Sequence, residues 1–266
     1  TLSAPTSSWN EYAFSITPNA STDDGSLRIT LLGGGTVNID QVSLMGQDAI
    51  DTGGYRPDLL GAVADLNPPI IRWPGGCFAD EYHWKDGIGP RENRPRMINT
   101  HWGMISEDNS FGTHEFLDLC QMLDCEPIIA GNVGSGTVRE LSQWIEYTNA
   151  DIDSPMSRLR KQNGRDEAWQ VRYWNIGNEN WGCGGNMKPE EYAQRYLTFH
   201  TYLTSYNPEG TKFVACGPGG EDARWMEVVS ERLRHRMDAI SAHYYVMSGS
   251  WRDKGDATDF SRDEWF

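Results

Sequence analysis

The chain has 266 residues, and 23 Lys and Arg against 38 Asp and Glu give it a formal charge of −15 at pH 7. Nucleic acid and anionic membrane surfaces recruit proteins through clustered cations, and no basic run here goes beyond short pieces such as Arg232 to Arg236, so both are excluded as partners. Hydrophobic residues make up 38%, and no stretch approaches the ~18 consecutive apolar residues of a spanning helix, which implies a soluble chain.

In chain order, the first ~50 residues alternate apolar and polar positions over 11–17 (EYAFSIT), 26–32 (SLRITLL) and 35–45 (GTVNIDQVSLM). Asp23-Asp24-Gly25 and Gly33-Gly34-Gly35 supply turns between these runs, so antiparallel strands are expected. Three strands do not close a sandwich, which reads as the tail of a β-domain whose beginning is absent.

From about Tyr55 the pattern changes to strands alternating with amphipathic helices. Pro57 starts a helix to about Leu66, and strand 69–73 follows. Helix 113–124, with Phe116, Leu117, Cys120 and Leu123 on one face, precedes strand 126–131. Thr137 and Glu140 form a capping box for a helix to about Tyr147. Strand 171–176, helix 189–206, strand 212–216, helix 222–235 and strand 239–244 complete the series.

Five strands separated by helices argue for a parallel sheet with right-handed crossovers. Each strand runs into a Gly-rich or polar segment: RWPGGC, GNVGSG, NIGNEN, CGPGG and SAHYY. Chemistry spread over the ends of several strands is the habit of a (β/α)8 barrel, whereas a doubly wound sheet gathers its ligand at one switch point. The expected fold is therefore α/β: an incomplete TIM barrel over 53–266, preceded by antiparallel strands over 1–52. Five strands are fewer than a barrel needs, and the chain is read as cut at both ends.

Thirty aromatic residues, 11 of them Trp, include Trp73, Trp84, Trp102 and Trp181 in polar, Gly-rich surroundings. Such rings suit the C–H face of a sugar, with ordinary core packing as the alternative. Glu179, in the run 174–181 (WNIGNENW), is the principal catalytic candidate. A carboxyl at a strand end between amides and indoles is partly desolvated, which favours general-acid work, and Asn178 beside it suits a sugar hydroxyl. A solvated Glu on an Asx turn is the alternative reading. Cys77, Cys120, Cys125, Cys183 and Cys216 show no CxxC spacing and read as free thiols, and the six His show no metal-ligand spacing.

The segments RWPGGC (72–77), YHWKDGIGPRENRPR (82–96), FGTHEFLDLC (111–120), NIGNENWGCGG (175–185) and SAHYY (241–245) occur in order, and together they resemble the α-L-arabinofuranosidases of glycoside hydrolase family 51. The resemblance covers about 55–266. It also accounts for the opening strands, because some relatives insert a carbohydrate-binding-type β-sandwich after the first barrel strand.

That resemblance implies a retaining glycosidase that releases non-reducing terminal α-L-arabinofuranosyl groups from oligo- and polysaccharides, with no metal or cofactor, in a family whose members are often homo-oligomers. The five strands become barrel strands two to six, and Asn178-Glu179 falls at the end of the fourth, where the family carries its acid/base. Arg72 and Tyr245 are implied as contacts of the nucleophile, and His243 as a residue over the acid/base and sugar hydroxyls. Cys77 is implied in the pocket lining, and Trp102 as an aromatic platform. The family's nucleophile is a Glu at the end of the seventh strand, which this chain does not reach, so the 266 residues alone are expected to be nearly inactive. Asp263-Glu264-Trp265 imitates the nucleophile segment but follows a polar run instead of a strand.

Three other functions compete. Gly131, Gly134 and Gly136 before a capped helix suggest a phosphate site, although the order is not GxGxxG and no GxxxxGK[ST] is present. The same aromatics suit a non-catalytic carbohydrate-binding protein. Related barrels cleave xylosides or glucans with the same carboxylate pair.

Overall fold

The computed structural model describes residues 6–246, 248–250 and 252–256. The chain divides into two units, Thr1–Gly54 and Tyr55–Phe266.

In the first unit the expected strands are absent. Residues 11–17, 26–32 and 35–45 form no ladder, and α1 (Gln47–Asp51) is the sole regular element among the described residues. The physical reason is the lack of a surface to cover. Leu27, Ile29 and Leu31 alternate correctly along the chain, yet they stay exposed at 47%, 56% and 48%. A two- or three-strand meander whose apolar face stays exposed does not offset its own ordering entropy.

The second unit follows the expected alternation. It begins with α2 (Pro57–Asp65), with Pro in its first turn, and β1 (Ile70–Trp73). A segment of short 3-10 turns leads to an antiparallel hairpin, β2 (Met97–Asn99) and β3 (Ile105–Glu107). Then come α3 (Thr113–Met122), β4 (Glu126–Gly131), α4 (Val138–Asn149), α5 (Pro155–Gln162) and β5 (Tyr173–Ile176). The series ends with α6 (Pro189–Thr201), β6 (Lys212–Ala215), α7 (Ala223–Leu233) and β7 (Ala239–Ile240). The hairpin and α5 were not foreseen. The last strand is shorter than expected: beyond Ile240 the chain keeps one bridge, His243 to Gly219.

The main sheet has the order β1-β4-β5-β6-β7, and every pairing is parallel. Each crossover advances one place in the same direction, and the order never reverses. That is the progression of a (β/α)8 barrel and lacks the switch point of a doubly wound sheet. The arrangement is an incomplete barrel.

Local chemistry explains the helices. Thr137 accepts from Glu140 N while the Glu140 carboxylate accepts from Thr137 N, as the spacing predicts. The apolar stripe of α4, Leu141, Trp144, Ile145 and Thr148, is then buried at helical period. Ser154 caps α5, and Pro155 occupies its first turn. Arg160 on α5 is 1% exposed and donates through Nη1 to the carbonyls of Tyr147 and Ala150, so its charge lies on the C-terminal end of α4.

The core is aromatic to an unusual degree. Trp73 stacks on Phe116 with ring centroids 5.4 Å apart, Trp84 stacks on Trp144 at 6.0 Å, and Trp144 meets Trp174 edge-on. Trp84 is 2% exposed, and Trp73, partly buried, packs against the same cluster, so both rings serve the core. Among the described residues no helix is long and apolar enough to cross a membrane.

Candidate active site

The C-terminal ends of four strands converge. After β5 the backbone passes Gly177 at φ +91° and Asn178, then places Glu179 at φ +47°, a left-handed conformation that a side chain adopts only when its surroundings hold it there. A Cβ at Gly177 would overlap the Asn180 amide, which explains the glycine. The bend turns the Glu179 carboxyl back over the sheet, where the residue is 8% exposed.

Glu179 Oε1 is held from the end of β7. His243 Nδ1 lies 2.9 Å away, and the Tyr245 hydroxyl donates to the same oxygen at 3.0 Å. Burial and the adjoining Glu179 carboxyl push the Tyr245 hydroxyl above its ordinary pKa of 10, so it stays a donor. From the end of β1, Arg72 Nη1 donates to Asn178 Oδ1 at 2.7 Å, and the other end of that amide donates to Gly76 O at 2.8 Å. Both ends of the Asn178 side chain are thereby oriented. Tyr192 on α6 donates to Ile176 O and accepts from Cys216 N, which locks the end of β5 to that of β6.

Of the residues singled out from the sequence, Arg72, Asn178, Glu179, His243 and Tyr245 come together. Tyr245, expected on the nucleophile, contacts Glu179 through its hydroxyl. Arg72, His243 and Tyr245 also line a cleft of about 520 Å³ that reaches Ile128 and Val214 on the inner face of the sheet. Trp102, on the β2–β3 turn, is 55% exposed, and its ring lies against Gly76. Asp263, Glu264 and Trp265 lie outside the described residues.

Cys77 and Cys183 differ from expectation. They form a disulfide between the turn after β1 and the loop after β5, 106 residues apart in sequence. Sequence spacing could not show this, since the two become neighbours only through the parallel register of strands. Cys120, Cys125 and Cys216 remain free thiols. The two bridged sulfurs and a Glu179 oxygen lie within 4.8 Å of one another, but neither sulfur can offer a thiolate to a metal while the bridge stands. Cys183 Sγ is 3.7 Å from Glu179 Oε2, a packing contact, because a bridged sulfur carries no proton.

Sequence reasoning missed Asp80. It is 4% exposed, and it accepts from Val133 N and Gly134 N on Oδ1 and from Asn178 N and Asn180 Nδ2 on Oδ2. Burial pushes its carboxyl up to about 6, against the pull of these donors. The same contacts dispose of the phosphate reading. Val133 and Gly134 amides point at Asp80, and the Gly136 amide donates to Asn132 Oδ1. The glycine-rich turn is filled by the protein's own acceptors.

The long segment 82–96 proves structural in its detail. Arg94 forks onto Glu115 at the start of α3 and also donates to the Gly89 and Asn109 carbonyls. Trp84 Nε1 donates to Glu140 O. These bonds fasten the segment to α3 and α4.

A partial (β/α)8 barrel with a buried carboxyl at a strand end, gripped by His243 and Tyr245, is the architecture on which barrel glycoside hydrolases are built. The family description "Alpha-L-arabinofuranosidase 1 domain" matches residues 62–262. An intracellular exo-α-L-arabinofuranosidase of Bacteroides ovatus is 55% identical over 213 residues, 80% of this chain and 41% of that protein. The α-L-arabinofuranosidase C of Emericella nidulans is 40% identical over 177 residues, 66% of this chain and 35% of its own. The crystal structure of the GH51 arabinofuranosidase from Xanthomonas axonopodis pv. citri superposes with a TM-score of 0.75 at 44% identity, covering 80% of this chain and 43% of that one. The chain belongs to the α-L-arabinofuranosidases of glycoside hydrolase family 51. It spans less than half the length of these relatives.

Proposed function

We propose that the natural full-length protein is a retaining α-L-arabinofuranosidase acting on non-reducing terminal arabinofuranosyl groups of oligo- and polysaccharides, with Glu179 as its acid/base. The observation that carries this reading is the capture of Glu179 Oε1 by both His243 and Tyr245 at the mouth of the strand ends. With Oε1 occupied by the Tyr245 donor, the transferable proton belongs on Oε2.

In the first step Glu179 gives that proton to the departing glycosidic oxygen while a second carboxylate, about 5 Å away in a retaining pair, attacks the anomeric carbon. In the second step the ionised Glu179 takes a proton from water, which releases arabinose and regenerates the acid. Tyr245 supports the ionised form by donating to it. Asn178, its amide fixed by Arg72 and Gly76, presents toward the sugar hydroxyls. The attacking carboxylate is assigned to a strand following β7, and no strand follows β7 among the described residues.

Glu179→Ala in the natural full-length protein tests the reading. Hydrolysis of phenyl α-L-arabinofuranoside should fall roughly 10²–10⁴-fold, the usual contribution of a positioned general acid. Azide, which needs no deprotonation, should restore turnover of an activated aryl arabinofuranoside as arabinosyl azide. An unchanged rate would favour a site that binds sugar without cleaving it.

A further inference from the structure

Glu179 is held in a backbone conformation that its side chain disfavours, and the residues on either side of it share one anchor. Asn178 N donates to Asp80 Oδ2 at 2.9 Å, and Asn180 Nδ2 donates to the same oxygen at 3.3 Å. Asp80 Oδ1 takes the Val133 and Gly134 amides at 2.7 and 2.8 Å. A single carboxylate thus ties the turn after β1, the loop after β4 and the loop after β5. Asp80 lies in the 3-10 turn Gly76–Asp80, and its backbone carbonyl also accepts from Ser135 N and Oγ. A Cβ at Gly184 would overlap Asn178 O and crowd Asp80 Oδ2, so the loop closes tightly over this anchor.

We propose that Asp80 is a positioning residue for the acid/base: its Oδ2 clamps both flanks of Glu179 and keeps the carboxyl in the left-handed turn where it meets His243 and Tyr245. The inference rests on the function proposed above for Glu179. Its chemical content lies in the donor count. Among the described residues four N–H groups aim at this one side chain and no acceptor does, so the site calls for an acceptor at every position. Asn at this place, though the same size, would turn an NH₂ group toward N–H donors on one side and break that half of the clamp.

The test compares phenyl and 2,4-dinitrophenyl α-L-arabinofuranosides on the natural full-length enzyme. Dinitrophenolate departs without a proton, so a misplaced acid costs little with it and much with phenol. Misfolded protein lowers both rates in equal proportion and leaves their ratio unchanged. Asp80→Asn should lower kcat/KM on the phenyl substrate by about 10²-fold, as expected for a catalytic group displaced by an ångström, and by less than about tenfold on the dinitrophenyl one. Asn180→Ala, which removes one arm of the clamp, should shift the ratio the same way by a smaller factor. Glu179→Ala serves as the reference. If it shows the split and Asp80→Asn lowers both substrates equally, or neither, Asp80 does not position the acid. If Glu179→Ala shows no split, the function proposal falls and this one falls with it.

Discussion

Nη1 of Arg72, at the end of β1, donates at 2.7 Å to Oδ1 of Asn178, past the end of β5, although β4 lies between their strands in the sheet. The guanidinium thus reaches across the end of β4 to the residue preceding Glu179, the proposed acid/base. Arg72→Ala and Asn178→Ala should each lower kcat/KM of the natural full-length enzyme by about 10–10²-fold, the range of a hydrogen bond to a charged group. Their effects should not add. A double-mutant cycle is expected to give a coupling energy of about 1–3 kcal/mol, and a value near zero would mean that the pair does not act as a unit.

Tyr245 reports on Glu179 independently of turnover. The burial of its hydroxyl and the hydrogen bond to Glu179 Oε1 hold it protonated above its ordinary pKa. In an alkaline spectrophotometric titration, the phenolate signal lost in Tyr245→Phe should therefore appear above pH 10. In Glu179→Gln that signal should move to lower pH, because the neighbouring negative charge is gone. A signal that stays put would show that the two groups do not touch.

The Cys77–Cys183 bridge closes a loop of 106 residues that includes β4, α4 and β5. Removing a cross-link across a loop of this size costs about 2–5 kcal/mol, chiefly through the unfolded chain. Urea denaturation of Cys183→Ser should show such a loss, and dithiothreitol should destabilise the wild type while leaving the variant unaffected. Equal midpoints with and without reductant would indicate that the thiols are unpaired.

Acid should weaken the attachment of segment 82–96. Burial raises the Glu115 carboxyl, but the Arg94 fork and the Gly112 amide outweigh it and hold the group below its ordinary 4.5. A carboxylate depressed in the folded state stabilises above its unfolded pKa, and that stability disappears as pH falls through the lower folded value. Glu115→Gln should cost roughly 3–5 kcal/mol at pH 7 because it strands the buried Arg94 charge. The Tm difference from wild type should then narrow steadily below about pH 4.5. A gap independent of pH would rule out ionisation as its origin.

Much of the barrel was legible in the chain itself. Period-3.6 stripes such as Leu141, Trp144 and Ile145, the Thr137–Glu140 box and the glycine-rich strand ends are local features that need no partner to be read. Helix α5 carried a usable signal, Ser154 before Pro155, that its polar composition hid. The hairpin β2–β3 has three-residue strands, too short for a period of two to register. The N-terminal segment erred in the opposite direction: alternation was present, but a strand also requires a neighbour.

By itself the sequence determined the order of elements and the candidacy of Glu179, because propensity, capping and strand-end chemistry act over a few residues. Only the tertiary structure decided which side chains surround that carboxyl. The junction of Arg72 with Asn178, the pairing of Cys77 with Cys183, the clasp of His243 and Tyr245 and the four donors on Asp80 all link positions dozens of residues apart. Parallel register brings the strand ends level, and contacts set by register across a sheet leave no trace in spacing along the chain.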